Sequence, residues 1–144
     1  MAKVLVSDTI DKVGIDILSQ VAQVDVKTGL SQEELIKIIP EYDALMLRSG
    51  TKVTKEIIEA GENLKIIGRA GVGVDNVDVP AATRKGIVVV NSPEGNTIAA
   101  AEHALAMMLS LSRHIPNANQ SVKNNEWKRN LYVGSEVYKK TLGV

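Results

Sequence analysis

Short apolar runs alternate with stretches of helical spacing along most of this chain. Residues 4–6 form a continuous apolar run; past Ser7 and Asp8, the apolar positions Val13, Ile17, Leu18 and Val21 recur at helical intervals. Residues 24–26 repeat the strand pattern. Ser31 stands three residues before Glu34, the spacing of a capping box, and predicts a helix through Leu35, Ile36, Ile38 and Ile39 that Pro40 ends. A third strand, 44–47, precedes Thr54, which is expected to cap a short helix through Ile57 and Ile58, with Gly61 closing it in a left-handed conformation. Residues 64–67 predict a fourth strand. Asp78, Val79 and Pro80 open a helix that Gly86 closes before a fifth strand at 87–90.

From a Thr97 cap to about residue 113 the spacing predicts a long helix, rich in small residues at Ala99, Ala100, Ala101, Ala104 and Ala106. Such a surface packs closely against a neighbour. After Pro116 the chain turns polar and less regular, through Asn117, Asn119, Gln120, Lys123, Asn124 and Asn125. Strands and helices in this alternation predict an α/β fold, a five-stranded parallel sheet with helices on its faces. A boundary is expected near Asn96, with 1–96 as one domain and 97–144 as an extension.

Composition narrows the function classes. The 144 residues are 44% hydrophobic, and 17 basic side chains balance 17 acidic ones, so there is no overall positive field to attract nucleic acid or an acidic membrane. Cysteine is absent, which excludes disulfides, a thiolate nucleophile and Cys-ligated zinc, and two histidines, His103 and His114, are too few for a multi-His metal site. The most apolar stretch, 98–111, contains Glu102 and His103 and is too short to cross a bilayer. The apolar run at the N-terminus is shorter than a signal-peptide core, so a cytoplasmic location is expected.

In an open parallel sheet, ligands bind outside the carboxyl ends of the strands. The loops there carry Ser7 and Asp8; Arg48, Ser49, Gly50 and Thr51; Arg69, Gly71 and Gly73; and Asn91, Ser92, Glu94, Gly95 and Asn96. Guanidinium forks bind carboxylate or phosphate bidentately, and glycines let backbone N–H groups approach an oxyanion, so this set suits a small anion. The competing reading is that Arg48 and Arg69 pair with local acids such as Asp8 or Asp75. Gly71, Gly73 and Asn76 lack the third glycine of a dinucleotide fingerprint, and the next helix is expected only after Asp78. Glu102 and His103 are adjacent on a helix and point about 100° apart, which does not make an acid–base pair. His114 is expected at a helix end, near terminal carbonyls, and Asp78 as a cap rather than a metal ligand.

Three motifs carry a resemblance: Arg48-Ser49-Gly50-Thr51, the segment from Gly68 and Arg69 through Gly71, Gly73, Asp75 and Asn76 to Asp78, and Asn91-Ser92-Pro93-Glu94-Gly95-Asn96-Thr97. In this order they resemble the phosphoglycerate dehydrogenase branch of the D-2-hydroxyacid dehydrogenase family, over the whole chain. The resemblance implies a flavodoxin-like, doubly wound substrate domain with a C-terminal helical extension. It also implies oxidation of 3-phosphoglycerate to 3-phosphohydroxypyruvate with NAD, the first step of the phosphorylated serine pathway. By the same resemblance, Arg48, Ser49, Arg69 and Asn96 bind the anionic groups of the substrate, and the backbone of Gly71, Val72, Gly73 and Val74 faces its carboxylate.

The long helix resembles the family's crossing helix, and the segment from Trp127 to Tyr138 its dimer-forming arm. With no nucleotide domain to cover Ile98, Leu105, Met107, Met108 and Leu111, a homodimer or larger through residues 97–140 is expected, formed by exchange of the long helix rather than by its folding back. Thr141, Leu142, Gly143 and Val144 resemble the first strand of the nucleotide domain. The glycine-rich phosphate loop, the acidic ribose-binding residue and the family's catalytic residues find no match in these 144 residues. The expectation is therefore a fragment that holds no catalytic, cofactor-binding or metal-binding residue and does not transfer hydride alone. The alternative is a self-standing flavodoxin-like module that oligomerises or binds a partner.

Overall fold

A computed structural model describes residues 1–143. Strands β1 (Lys3–Val6), β2 (Gln23–Val26), β3 (Ala44–Leu47), β4 (Ile66–Arg69) and β5 (Val88–Asn91) form one parallel sheet in the order β2-β1-β3-β4-β5. This is the flavodoxin-like order, and the chain reverses its direction of travel between β1 and β3. Residues 1–96 make one compact unit, and the chain from Thr97 makes another.

Register brings Leu5, Leu45 and Ile67 side by side on one face of the sheet. There they pack with Leu35 and Ile39, with Ile57 and Ile58, and with Ala81 and Ala82. These come from α2 (Gln32–Ile38) and the turn after it, α3 (Lys55–Ala60) and α4 (Val79–Lys85). Each fully buried Leu or Ile contributes about 1.5–3 kcal/mol of transfer free energy. Tyr42 is fully buried as well, and its hydroxyl donates to the Asp25 carboxylate at 2.9 Å, so the polar tip is not orphaned. Helix α1 (Lys12–Ser19) contains no buried residue and leaves Val13 and Ile17 exposed.

The capping box at α2 forms in both directions. Glu34 N donates to Ser31 Oγ at 3.2 Å, and Ser31 N donates to Glu34 Oε2 at 2.8 Å. Replacing Ser31 by Ala should lower stability at neutral pH by about 1 kcal/mol, read from the urea midpoint. The bond from the Ser31 backbone holds the Glu34 carboxyl below its ordinary value of 4.5. A depressed folded value means that the Glu34 contribution is complete above 4.5 and disappears as the pH falls through the lower folded value. The Glu34→Gln variant should lack that part of the acid sensitivity.

Several boundaries differ from the sequence expectation. β4 starts at Ile66, not residue 64, because Leu64 N folds back to Gly61 O at 3.2 Å and the ladder begins when Lys65 N reaches Asp43 O at 2.8 Å. Gly61 is not left-handed, with φ −70°; it is needed because a Cβ there would stand 2.9 Å from Leu64 Cβ. Gly86 does adopt φ 76° at the end of α4. Thr54 occupies the cap position of α3 without bonding the backbone, and its Oγ1 accepts from Gln32 Nε2 at 3.1 Å.

Within the second unit, Thr97 is the first residue of α5 (Thr97–Ser112) rather than its cap. The polar stretch read as irregular contains a helix, α6 (Ile115–Lys123), which Pro116 opens because its missing N–H is harmless in a first turn. His114 precedes α6 in a left-handed conformation, φ 51°, at its N-terminal side. Thr141, Leu142 and Gly143 belong to no strand, since apolar sequence becomes a strand only on joining a ladder; Val144 lies outside the described residues. Among the described residues no helix is long and apolar enough to cross a membrane, and no three acidic or histidine side chains cluster as metal ligands.

Candidate functional site

The carboxyl ends of β1, β3, β4 and β5 deliver four loops to one edge of the sheet. Ser7 N continues the ladder by donating to Met46 O at 2.9 Å, which places Asp8 beside the loop after β3. The Asp8 carboxylate then accepts from Arg48 N at 2.7 Å and Thr51 N at 3.0 Å through Oδ2, and from Thr51 Oγ1 at 2.9 Å through Oδ1. Its charge is spent on organising that loop.

Arg48 is consequently exposed with little to hold its side chain, a single 3.4 Å bond from Nη1 to Thr9 O. Arg69, the last residue of β4, is half-buried and better fixed: Nε donates to Asn76 Oδ1 at 2.9 Å. Asn76 in turn donates through Nδ2 to Arg48 O and to Thr51 O, each at 2.6 Å. Among the described residues neither guanidinium forms an ion pair, so the pairing of Arg48 or Arg69 with Asp8 or Asp75 does not occur.

Gly71 leaves room for the Arg69 guanidinium at the turn. A Cβ there would lie 2.5 Å from Arg69 Nη1, so any side chain would push the guanidinium off the turn. Gly71 O also accepts from Ser92 N at 2.9 Å, tying the loop after β5 to the loop after β4. Arg48, Ser49, Arg69, Gly71, Val72, Gly73 and Asn96 line one open cleft of about 590 Å³. Ala70, Ser92 and Gly95 complete it, and Val74 is not among its lining residues. Glu102 and His103 lie on α5, in the second unit, and both are exposed.

Chemically, the cleft presents two guanidinium groups without a counter-ion, a serine hydroxyl and a glycine-rich turn. This combination can bind a small multivalent anion through charge-assisted hydrogen bonds. Sequence reasoning did not assign a role to Asn76 or Ala70. For Asn76 a signal existed, a carboxamide in the same loop as Gly71 and Gly73, but its partners lie 25 and 28 residues away in the chain.

Comparison with known proteins shows the family and the fold. The model of the D-isomer specific 2-hydroxyacid dehydrogenase catalytic domain matches residues 4–140. The D-3-phosphoglycerate dehydrogenase of Synechocystis is 78% identical over all 144 residues, which cover 26% of that protein. The crystal structure of the Thermus thermophilus protein TT0316 superposes with TM-score 0.84 at 28% identity, covering 94% of this chain and 45% of that one. An NAD+-bound 3-phosphoglycerate dehydrogenase from Entamoeba histolytica superposes with TM-score 0.70 at 33% identity, covering 78% of this chain and 39% of that one. The chain spans about a quarter of the length of the curated relatives it matches.

Proposed function

The chain belongs to the D-isomer specific 2-hydroxyacid dehydrogenase family, and from that premise we propose that residues 1–96 form the substrate-binding part of a 3-phosphoglycerate dehydrogenase. The observation that carries this reading is the pair of guanidinium groups, Arg48 and Arg69, turned to one cleft without a carboxylate partner. 3-Phosphoglycerate carries a phosphate at one end and a carboxylate at the other. Arg48, Ser49, Arg69 and Asn96 bind these anionic groups, and the backbone of the turn at Gly71, Val72 and Gly73, which lines the cleft as Val74 does not, faces the carboxylate. Held at both ends, the substrate has its C2 hydroxyl fixed in orientation, which is what a hydride transfer requires of a binding domain.

The family implies NAD as cofactor. The turn of Gly71 and Gly73 does not fit its pyrophosphate, because the next helix begins only at Val79 and the turn lines the anion cleft instead. These residues bind and orient substrate, and no part of the hydride step is assigned to them. The same proposal includes serine biosynthesis in the cytoplasm as the setting. It also includes a homodimer through residues 97–140, supported by the exposure of Ile98, Leu105, Met107 and Leu111 on α5.

Calorimetric titration of the chain with 3-phosphoglycerate tests the reading. Binding should be saturable, and should weaken as ionic strength rises from about 0.01 to about 0.15 M, over which the screening length falls from about 30 to about 8 Å. An absence of binding at low salt, or an affinity indifferent to salt, overturns it.

A further inference from the structure

We propose that Asn76 is the positioning residue of the anion cleft, presenting Arg69 to the ligand with its charge intact; this rests on the substrate-binding reading above. Three backbone and side-chain groups converge on this side chain. Arg69 Nε–H needs an acceptor, and the carbonyls of Arg48 and Thr51 need donors. Only a carboxamide supplies one acceptor and two donors in so small a volume. Asn76 meets all three, at 2.9, 2.6 and 2.6 Å.

The choice of amide over carboxylate has an electrostatic consequence. A guanidinium held by a carboxylate is already neutralised, and a second anion gains little by approaching it. Held by a neutral amide through Nε, Arg69 keeps both Nη groups and its full positive charge for the cleft. The two Nδ2 bonds also fix the loop that carries Arg48, so one side chain sets the separation of the two cations. Backbone supports the same arrangement: Val53 N donates to Asn76 O at 2.8 Å, and Val77 and Val53 form an isolated parallel bridge. Asn76 is thereby anchored to the loop after β3 by its main chain as well as its side chain.

The test combines nuclear magnetic resonance of the arginine Nε–H groups with titration by inorganic phosphate and by 3-phosphoglycerate. In the wild-type chain the Arg69 Nε–H should exchange slowly with solvent. Asn76→Ala should abolish that protection and weaken anion binding on the order of tenfold. Asn76→Asp retains an acceptor for Nε and should keep the protection. Yet it should weaken anion binding by about a further tenfold, because its carboxylate competes for the charge. A residue that served only the fold would leave anion binding the same in Asn76→Ala and Asn76→Asp, whatever happens to the Nε–H exchange. Fast exchange of Arg69 Nε–H in the wild type, or binding by Asn76→Asp as tight as by Asn76→Ala, overturns the assignment. Slow exchange in a wild type that ignores 3-phosphoglycerate but binds phosphate overturns the substrate reading and leaves Asn76 in its role. The wild-type exchange measurement needs no variant to fold.

Discussion

Replacing Ile67 by Ala should cost the first unit about 2–5 kcal/mol, whereas the same change at Ile66 should cost about 1 kcal/mol or less. The two residues are adjacent on β4 and identical in chemistry, and they differ only in the face they occupy. Ile67 is 0% exposed and registers beside Leu45 in the core, while Ile66 is 37% exposed on the opposite face. Truncating Ile67 removes three buried carbons and leaves a cavity that the close-packed side chains around it fill only in part. Urea denaturation followed by circular dichroism provides the comparison. Equal losses at the two positions would mean that the second face is covered as thoroughly as the first. A marginal domain has about 5–15 kcal/mol in hand, so the Ile67 variant should also melt well below the wild type.

Arg48→Ala and Arg69→Ala should each weaken 3-phosphoglycerate binding by about 10- to 150-fold, the loss of one charge-assisted contact of about 1.5–3 kcal/mol. The two losses should be unequal. Arg69 is held by Asn76 at 2.9 Å before any ligand arrives, whereas Arg48 keeps one long bond to Thr9 O. The flexible side chain gives up more rotamer freedom on binding and so nets less. Each variant should also flatten the salt dependence of binding, since one cation fewer is screened. Thermal melts identify the mechanism: an unchanged melting temperature with reduced affinity places the effect in the cleft. If both variants bind as the wild type does, the arginines contribute nothing to recognition.

The fold was legible in the sequence where local rules act alone. The capping box at Ser31 and Glu34, the Asp78 cap with Pro80 in the first turn, and the helix end at Gly86 are decided within one helical turn, and all appear as expected. The parallel sheet follows from alternation of strands with helices, whereas its order, β2-β1-β3-β4-β5, was implied by the family resemblance. Boundaries set by distant residues were not legible: β4 begins where Lys65 can bond Asp43, 22 residues away, and no pattern within residues 64–67 reveals that. Helix α6 was missed because polar composition was read as irregularity, although a surface helix needs few apolar residues. At the cleft, glycines and arginines announce themselves by type and position. Asp8 and Asn76 do not, because their work is to accept or donate across 25 to 43 residues of chain.

Those long spans have a kinetic meaning. The Asp8 bonds to Arg48 and Thr51 bridge 40 and 43 residues, and the Asn76 bond to Arg48 bridges 28. Contacts of high sequence separation form late, after loop-closure entropy has been overcome by strand pairing. The cleft therefore comes into being only once β1, β3 and β4 have found their register, and a half-paired chain offers the anion nothing to grip. An anion that needs all three loops stabilises the finished chain by mass action and leaves the partly folded ensemble untouched. Bound ligand should accordingly slow unfolding without hastening folding, which makes occupancy of the cleft a sensor of completed assembly.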